Sequence, residues 1–203
     1  MRAMRLKLLC LLPALLASVV GCSKAWQSDA IEAQVVDAST GAPVADAVVL
    51  VNWQIKGMEG YPMGQLAIFE RVTDAQGRFQ TPDWGPKRPP FFTTVDNSDP
   101  TVRIFKKGYE PLVIIKSNNA PGSPHVHGQT LRLRRFEGDL SDYSQQMSIF
   151  WNPLNVNLVI GRCEWRAAPQ LFQALVQLRG EFDAAGVQSS LPLESSLCNV
   201  DAR

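Results

Sequence analysis

Between residues 31 and 135, apolar and polar positions alternate in short runs closed by turn-forming residues, the pattern of half-buried β-strands. Ile31 to Ala38 is such a run, and it ends in the turn formers of Asp37-Ala-Ser-Thr-Gly41-Ala-Pro43. Ala47 to Ile55 follows, rich in valine and leucine and including Trp53. Leu66 to Thr73 sets Leu66, Ile68 and Val72 on one face and Ala67, Phe69 and Arg71 on the other. Asp74-Ala-Gln-Gly77 turns the chain into Arg78 to Thr81, with Gly77 free to take a positive φ. Val102 to Lys106 and Pro111 to Lys116 flank a turn at Lys107-Gly108-Tyr109-Glu110. Thr130 to Arg135 alternates strictly, Leu131 and Leu133 inward against Arg132 and Arg134 outward. Seven short strands with frequent turns predict a mainly β, antiparallel sandwich.

After Gly138 the period changes to that of a helix. Leu140, Tyr143, Met147, Phe150 and Trp151 recur at helical spacing, and Pro153 is expected to stop them. A second helix is expected to start at Ala168 or Pro169, to present Leu171, Phe172, Leu175, Leu178 and Phe182, and to end before Gly186. Leu158 to Ile160 between them fits strand or helix. Two loops interrupt the strand region, and loops of this length are functional or disordered as a rule. Pro82 to Pro100 holds five prolines with Trp84, Phe91 and Phe92. Those aromatics form either a binding platform on the sandwich edge or, as their large apolar area favours, a cap over one end of the core. Ser117 to Gln129 is polar and contains both histidines.

The N-terminus has a different character. Arg2, Arg5 and Lys7 precede an uncharged, mostly apolar run, Leu8 to Val20, which is short of the roughly 20 residues of a permanent span. Charge followed by a short apolar run marks a secretory signal. Its end, Val19-Val20-Gly21-Cys22, resembles the lipobox of bacterial lipoproteins, which implies cleavage after Gly21 and a diacylglycerol on the Cys22 thiol. At about 0.8 kcal/mol per buried methylene, two or three acyl chains hold a domain stably on a membrane. Ser23 rather than Asp follows the cysteine, which by resemblance to the sorting rule of enteric lipoproteins implies the outer membrane. Cys10 leaves with the signal, so Cys163 and Cys198 are the pair that remains. An oxidising periplasm joins such a pair, closing a loop of about 35 residues worth roughly 3–4 kcal/mol; the alternative is two buried thiols. Neither stands in a Cys-x-x-Cys spacing. Losing the signal removes three cations and no acid, taking the net charge from +1 to −2. Near-neutrality without a basic run excludes nucleic acid as a partner.

Two stretches carry a family resemblance. Val36-Asp37-Ala-Ser-Thr40-Gly41-Ala-Pro43-Val44-Ala-Asp46-Ala47 resembles the opening of carboxypeptidase regulatory-like domains, and Thr73-Asp74-Ala-Gln-Gly77-Arg-Phe79 resembles their second mark. The Lys106-Lys-Gly108-Tyr109 turn is similar to one that often follows. The resemblance covers about half the chain and implies a transthyretin-like sandwich, mostly non-catalytic in that family. The expected organisation is therefore a signal peptide at 1–21, a lipidated tether at 22–29, a seven-stranded transthyretin-like β-sandwich at 30–137 and a C-terminal α-helical extension at 138–203.

The candidate chemistry centres on the two histidines, His125-Val-His127, which in an extended segment face one side and suit one metal ion. Pro124-His125-Val126-His127 resembles the histidine motif of intradiol ring-cleavage dioxygenases, and Val51-Asn-Trp53-Gln54 with Gly60-Tyr61 resembles the segment carrying their first tyrosine ligand. That resemblance implies iron held by His125, His127 and Tyr61. It departs from the family where a second tyrosine belongs, since Gln80 to Pro86 has none, and Gly122-Ser123 stands where an arginine belongs. A serine or cysteine nucleophile would need a histidine in reach, and both histidines share one loop. Asp37 and Asp74 sit in turns where aspartate bonds its own backbone. The reading is a membrane-anchored envelope lipoprotein, non-catalytic and without cofactor, with an envelope protein or carbohydrate as its ligand class and Trp84, Phe91 and Phe92 as candidate binding-loop residues. The rival is a metal-dependent enzyme using His125 and His127.

Overall fold

The computed structural model describes residues 24–95, 100–115, 126–158 and 164–193. Ten strands form three sheets among these residues. β2 (Glu32–Asp37) lies between β5 (Arg78–Gln80) and β10 (Thr130–Leu133). β3 (Val48–Gly57) lies between β4 (Pro62–Val72) and β8 (Thr101–Phe105), with β9 (Leu112–Ile114) outside β8 and β7 (Thr93–Val95) paired to the far end of β3. β1 (Trp26–Ser28) and β6 (Trp84–Lys87) make a separate antiparallel ribbon. Two helices follow, α1 (Leu140–Leu158) and α2 (Pro169–Ala184), joined through a single turn of 3-10 helix at Glu164–Ala167. Every strand pairing is antiparallel except β2–β10, which is parallel because the chain arrives at β10 from the end where β2 begins.

The arrangement has three layers, and β3 explains why. Its apolar run is buried on both faces, as a central strand's must be. Val49, Val51 and Trp53 point into a core shared with Ile31, Ala33 and Val35 around β2, Phe79 of β5, Val102 and Ile104 of β8, and Leu131 and Leu133 of β10. Val48 and Leu50 point the other way, with Phe105, into a second core built by the helices. There Tyr143, Met147, Phe150, Trp151 and Leu154 of α1 meet Leu171, Phe172, Leu175, Leu178 and Phe182 of α2. The C-terminal helices are thus the outer layer of the large sheet, burying apolar positions that solvent would otherwise meet.

Several sequence expectations are corrected. Strand formation reaches beyond the seven expected strands: residues 26–28, expected in the tether, form β1, and the proline-rich stretch holds β6 and β7. These are short edge pieces, where proline removes no ladder hydrogen bond. Pro153 does not stop α1 but lies inside it, because Leu154 and Leu158 beyond it are driven into the helical core. A proline in a helix interior costs about 3 kcal/mol, comparable to burying one such side chain. Leu66 does not share a face with Ile68 and Val72. The register skips it, Trp53 opposing Ala67 and Gln54 opposing Gln65, and the bulge turns Leu66 into the sandwich core while Ile68 and Val72 meet the helices.

The two sequence motifs are turn devices. Asp37 is buried, and its Oδ1 accepts the N–H groups of Ser39 (2.9 Å) and Thr40 (3.0 Å). Its Oδ2 accepts Tyr109 Oη–H (3.1 Å) and Arg135 Nε–H (2.8 Å). In the second motif Thr73 Oγ1 donates to Val44 O and accepts from Ala47 N, each at 2.8 Å, and Asp74 Oδ1 accepts from the N–H groups of Gln76 and Arg78. Gly77 has φ +70°, and a Cβ there would stand 2.3 Å from Val35 O, so the turn admits glycine alone at this close approach.

Candidate binding surface at the loop end of the sandwich

Trp53 organises the end of the sandwich toward which β3 runs. Trp84 packs against it edge-on at 4.9 Å between ring centroids, and Phe69 does so at 6.2 Å. Trp84 is 8% exposed and belongs to the core. Phe91 and Phe92 do not join it: they are 79% and 81% exposed. The structure therefore divides the three aromatics, with Trp84 capping the core and withdrawn from any surface. Phe92 also has φ +62°, a conformation that costs a bulky residue roughly 1–3 kcal/mol.

The exposed phenylalanines are not isolated. Thr93 of β7 pairs with Gly57 at the end of β3, so the Phe91-Phe92 turn stands beside the β3–β4 hairpin tip. That tip is closed by the Gly57 N–H on Tyr61 O and the Gly60 N–H on Gly57 O, both at 2.9 Å. It carries Met58 (83% exposed), Tyr61 (68%) and, just past it, Met63 (44%). Five large apolar or aromatic side chains are thus exposed on two adjacent turns and the first residues of β4. Met58 and Met63 were not singled out by the sequence reading. The available signal was an apolar residue in a glycine-bounded hairpin turn, Gly57-Met-Glu-Gly60, where a side chain has no core to enter.

Cations frame this end. Lys24 Nζ lies 4.7 Å from the Trp26 ring centroid, and Lys87 Nζ lies 5.6 Å from that of Trp84. Trp26 pairs with Lys87 across the β1–β6 ribbon, and Lys87 Nζ also donates to Leu66 O at 3.4 Å, which ties the ribbon to β4. Gly85 makes the ribbon possible: a Cβ there would meet Gln27 Cα at 2.7 Å. Glu59 is an exposed anion on the hairpin tip.

The candidate metal residues are spread differently. His127 is exposed, and its Nδ1 accepts the Glu32 N–H at a long 3.3 Å. Tyr61 sits on the hairpin tip, and His125 lies outside the described residues, as do Cys22, Cys163, Cys198 and the signal peptide. Among the described residues no three His, Cys, Asp or Glu side chains gather as a metal-ligand group. Beside His127 the outer face of the β5–β2–β10 sheet forms an open polar groove of about 520 Å³, lined by Glu32, Gln34, Arg78, Gln80, Gln129 and Thr130 among others.

The buried ionisable groups lie elsewhere. Asp37, the last residue of β2, has its carboxyl lowered to about 2, chiefly by the Thr40 N–H. Tyr109 is raised, first by burial and then by its bond to Asp37. Arg103 faces the helical layer, its Nη1 donating to Asn52 Oδ1 at 2.9 Å, and burial lowers it to about 10. Asp37 and Tyr109 join β2, the β8–β9 turn and the end of β10, and Arg103 joins β8 to β3.

No family model matches the sequence, and no curated protein matches it. Among solved structures, 3-chlorocatechol 1,2-dioxygenase from Rhodococcus opacus 1CP is similar at 19% identity and a TM-score of 0.36, over 57% of this chain and 62% of that one. A 9R-lipoxygenase from Cyanothece PCC8801 is similar at 16% identity and a TM-score of 0.31, over 75% of this chain and 28% of that one. The chain therefore spans under two thirds of the length of either. Likenesses this distant decide neither chemistry nor ligand. No helix among the described residues is long and apolar enough to cross a membrane.

Proposed function

We propose that this chain is a lipoprotein of a bacterial cell envelope, held on the periplasmic face of the outer membrane through an acylated Cys22. Its sandwich, transthyretin-like in arrangement over residues 30–137, is a non-catalytic binding or assembly module, and residues 138–203 are its helical extension. The observation that carries this reading is the loop end, where Met58, Tyr61, Met63, Phe91 and Phe92 are exposed together. Apolar side chains cost solvation when left in water, and a concentration of them marks an interaction surface. The Lys24–Trp26 start of the described chain lies on the ribbon tied to β4 by Lys87, two residues after Cys22. An envelope protein or a carbohydrate is the ligand class for the rest of the surface, the polar groove beside His127 being the concavity suited to a sugar.

Intact mass analysis of the full chain from a membrane fraction tests the anchor. A mature N-terminus at Cys22 carrying acyl chains, lost in Cys22→Ala, is expected; an unmodified N-terminus refutes it. Elemental analysis of the same preparation, purified without chelators, tests the non-catalytic reading. Metal-free protein is expected, whereas near-stoichiometric iron or zinc lost in His125→Ala/His127→Ala would transfer the function to a metal-dependent enzyme using those histidines and Tyr61.

A further inference from the structure

We infer that the apolar loop end is a bilayer-docking surface, and that its partner is the interfacial region of the membrane to which Cys22 is attached. The inference rests on the anchor reading and adds an orientation to it. Three observations converge. The first is geometry: Thr93 pairs with Gly57, so the Phe91-Phe92 turn and the Met58–Tyr61 tip stand side by side at one end of the sandwich. The second is chain length. Cys22 is two residues from Lys24 and four from Trp26, and a residue spans at most about 3.6 Å, so the lipid lies within about 15 Å of the ribbon tied to β4. The third is composition. Aromatic and methionine side chains at the apex, with Lys87 and Arg88 exposed on the stretch that leads into the Phe91-Phe92 turn, match the headgroup–acyl boundary, where aromatic rings settle and long cations reach phosphate.

The charge balance says which force dominates. The exposed charges on the hairpin tip and on the stretch leading to the Phe91-Phe92 turn are mixed, Lys87 and Arg88 against Glu59 and Asp83, so insertion of the apolar apex is the driving term and salt weakens it little. A protein with one lipidated terminus could otherwise tumble about its tether. Phe92 is 81% exposed, which places its side chain on the apex rather than folded onto the core. With the loop end on the bilayer, the Asp37 end of the sandwich is turned away from it.

The test uses the full lipidated chain in vesicles of phosphatidylethanolamine and phosphatidylglycerol, with a nitrobenzoxadiazole probe on Met58→Cys. An identical probe on Gln145→Cys, an exposed position of α1, is the reference. The probe at 58 is expected to shift to shorter wavelength and to be quenched by nitroxide-labelled lipid in low and high salt alike, while the probe at 145 stays in water. Phe91→Ser/Phe92→Ser should lower the docked-to-undocked ratio by about tenfold per phenylalanine, on the order of 100-fold for the pair. Flotation of the vesicles is scored in the same sample. A chain that floats while residue 58 remains as wet as residue 145 overturns this inference and leaves the anchor standing. A chain that does not float overturns both.

Discussion

Glu70 offers the sharpest test of how the layers hold together. It stands on β4 and faces the helices, where its Oε1 accepts the Leu171 N–H at 2.7 Å and its Oε2 accepts the Gln170 N–H at 3.0 Å. These are the first free N–H groups of α2, since Pro169 has none and Ala168 provides no side-chain cap. A sheet residue a hundred positions away thus does what a serine or aspartate does locally in other helices. Removing an N-cap costs about 1 kcal/mol, and a carboxylate at a helix N-terminus contributes a further 0.3–1 kcal/mol or so. With two bonds lost at a half-buried site, Glu70→Ala should destabilise by about 2 kcal/mol, and Glu70→Gln, which keeps one acceptor, by about 1 kcal/mol. For a chain of this length 1 kcal/mol corresponds to roughly 2–4 °C, so the alanine variant should melt about 4–8 °C lower. Urea unfolding followed by circular dichroism measures this, with an unchanged slope showing that the same surface unfolds. A Glu70→Ala variant within about 0.5 kcal/mol of the parent would refute the capping argument.

Asp37 predicts an acid response. Its folded carboxyl is at about 2 against an ordinary 3.8, so its stabilising contribution is complete above roughly pH 4 and is lost as the pH falls toward 2. Asp37→Asn should remove that portion of the pH dependence, read from melting temperature between pH 2 and 6; an unchanged profile would show that the turn does not depend on the charge. The Cys163–Cys198 link is tested by intact mass before and after reduction. The oxidised form should be about 2 Da lighter, and the double serine variant should lose roughly 3–4 kcal/mol; an unchanged mass on reduction would show two thiols.

Much of the sandwich was legible because period-2 alternation is a local signal. Ile31, Ala33, Val35, Leu131 and Leu133 point inward as their alternation requires. The two turn motifs were equally legible, since aspartate binds its own backbone and Gly77 is forced by a backbone oxygen 2.3 Å away. The α2 start at Pro169 and its end at Gly186 follow from chain chemistry too: Gly186 at φ +73° lets the Val187 N–H return to Phe182 O at 2.8 Å.

The alternation, the turns and the apolar stripes each depend on neighbours in the chain and are readable from it. Which stripe meets which is set by packing between distant segments. Pro153 continues a helix because Leu154 and Leu158 have a core waiting for them, and α2 is capped from β4. Leu66 changes sides at a bulge set by its partner strand. The loop end shows the same division. Trp84, Phe91 and Phe92 are equivalent by composition, and only the position of Trp53 decided that the first is buried. Pairing of Thr93 with Gly57 then brought the other two beside Met58 and Tyr61. A surface assembled from turns far apart in the chain is set by strand pairing, which no local pattern encodes.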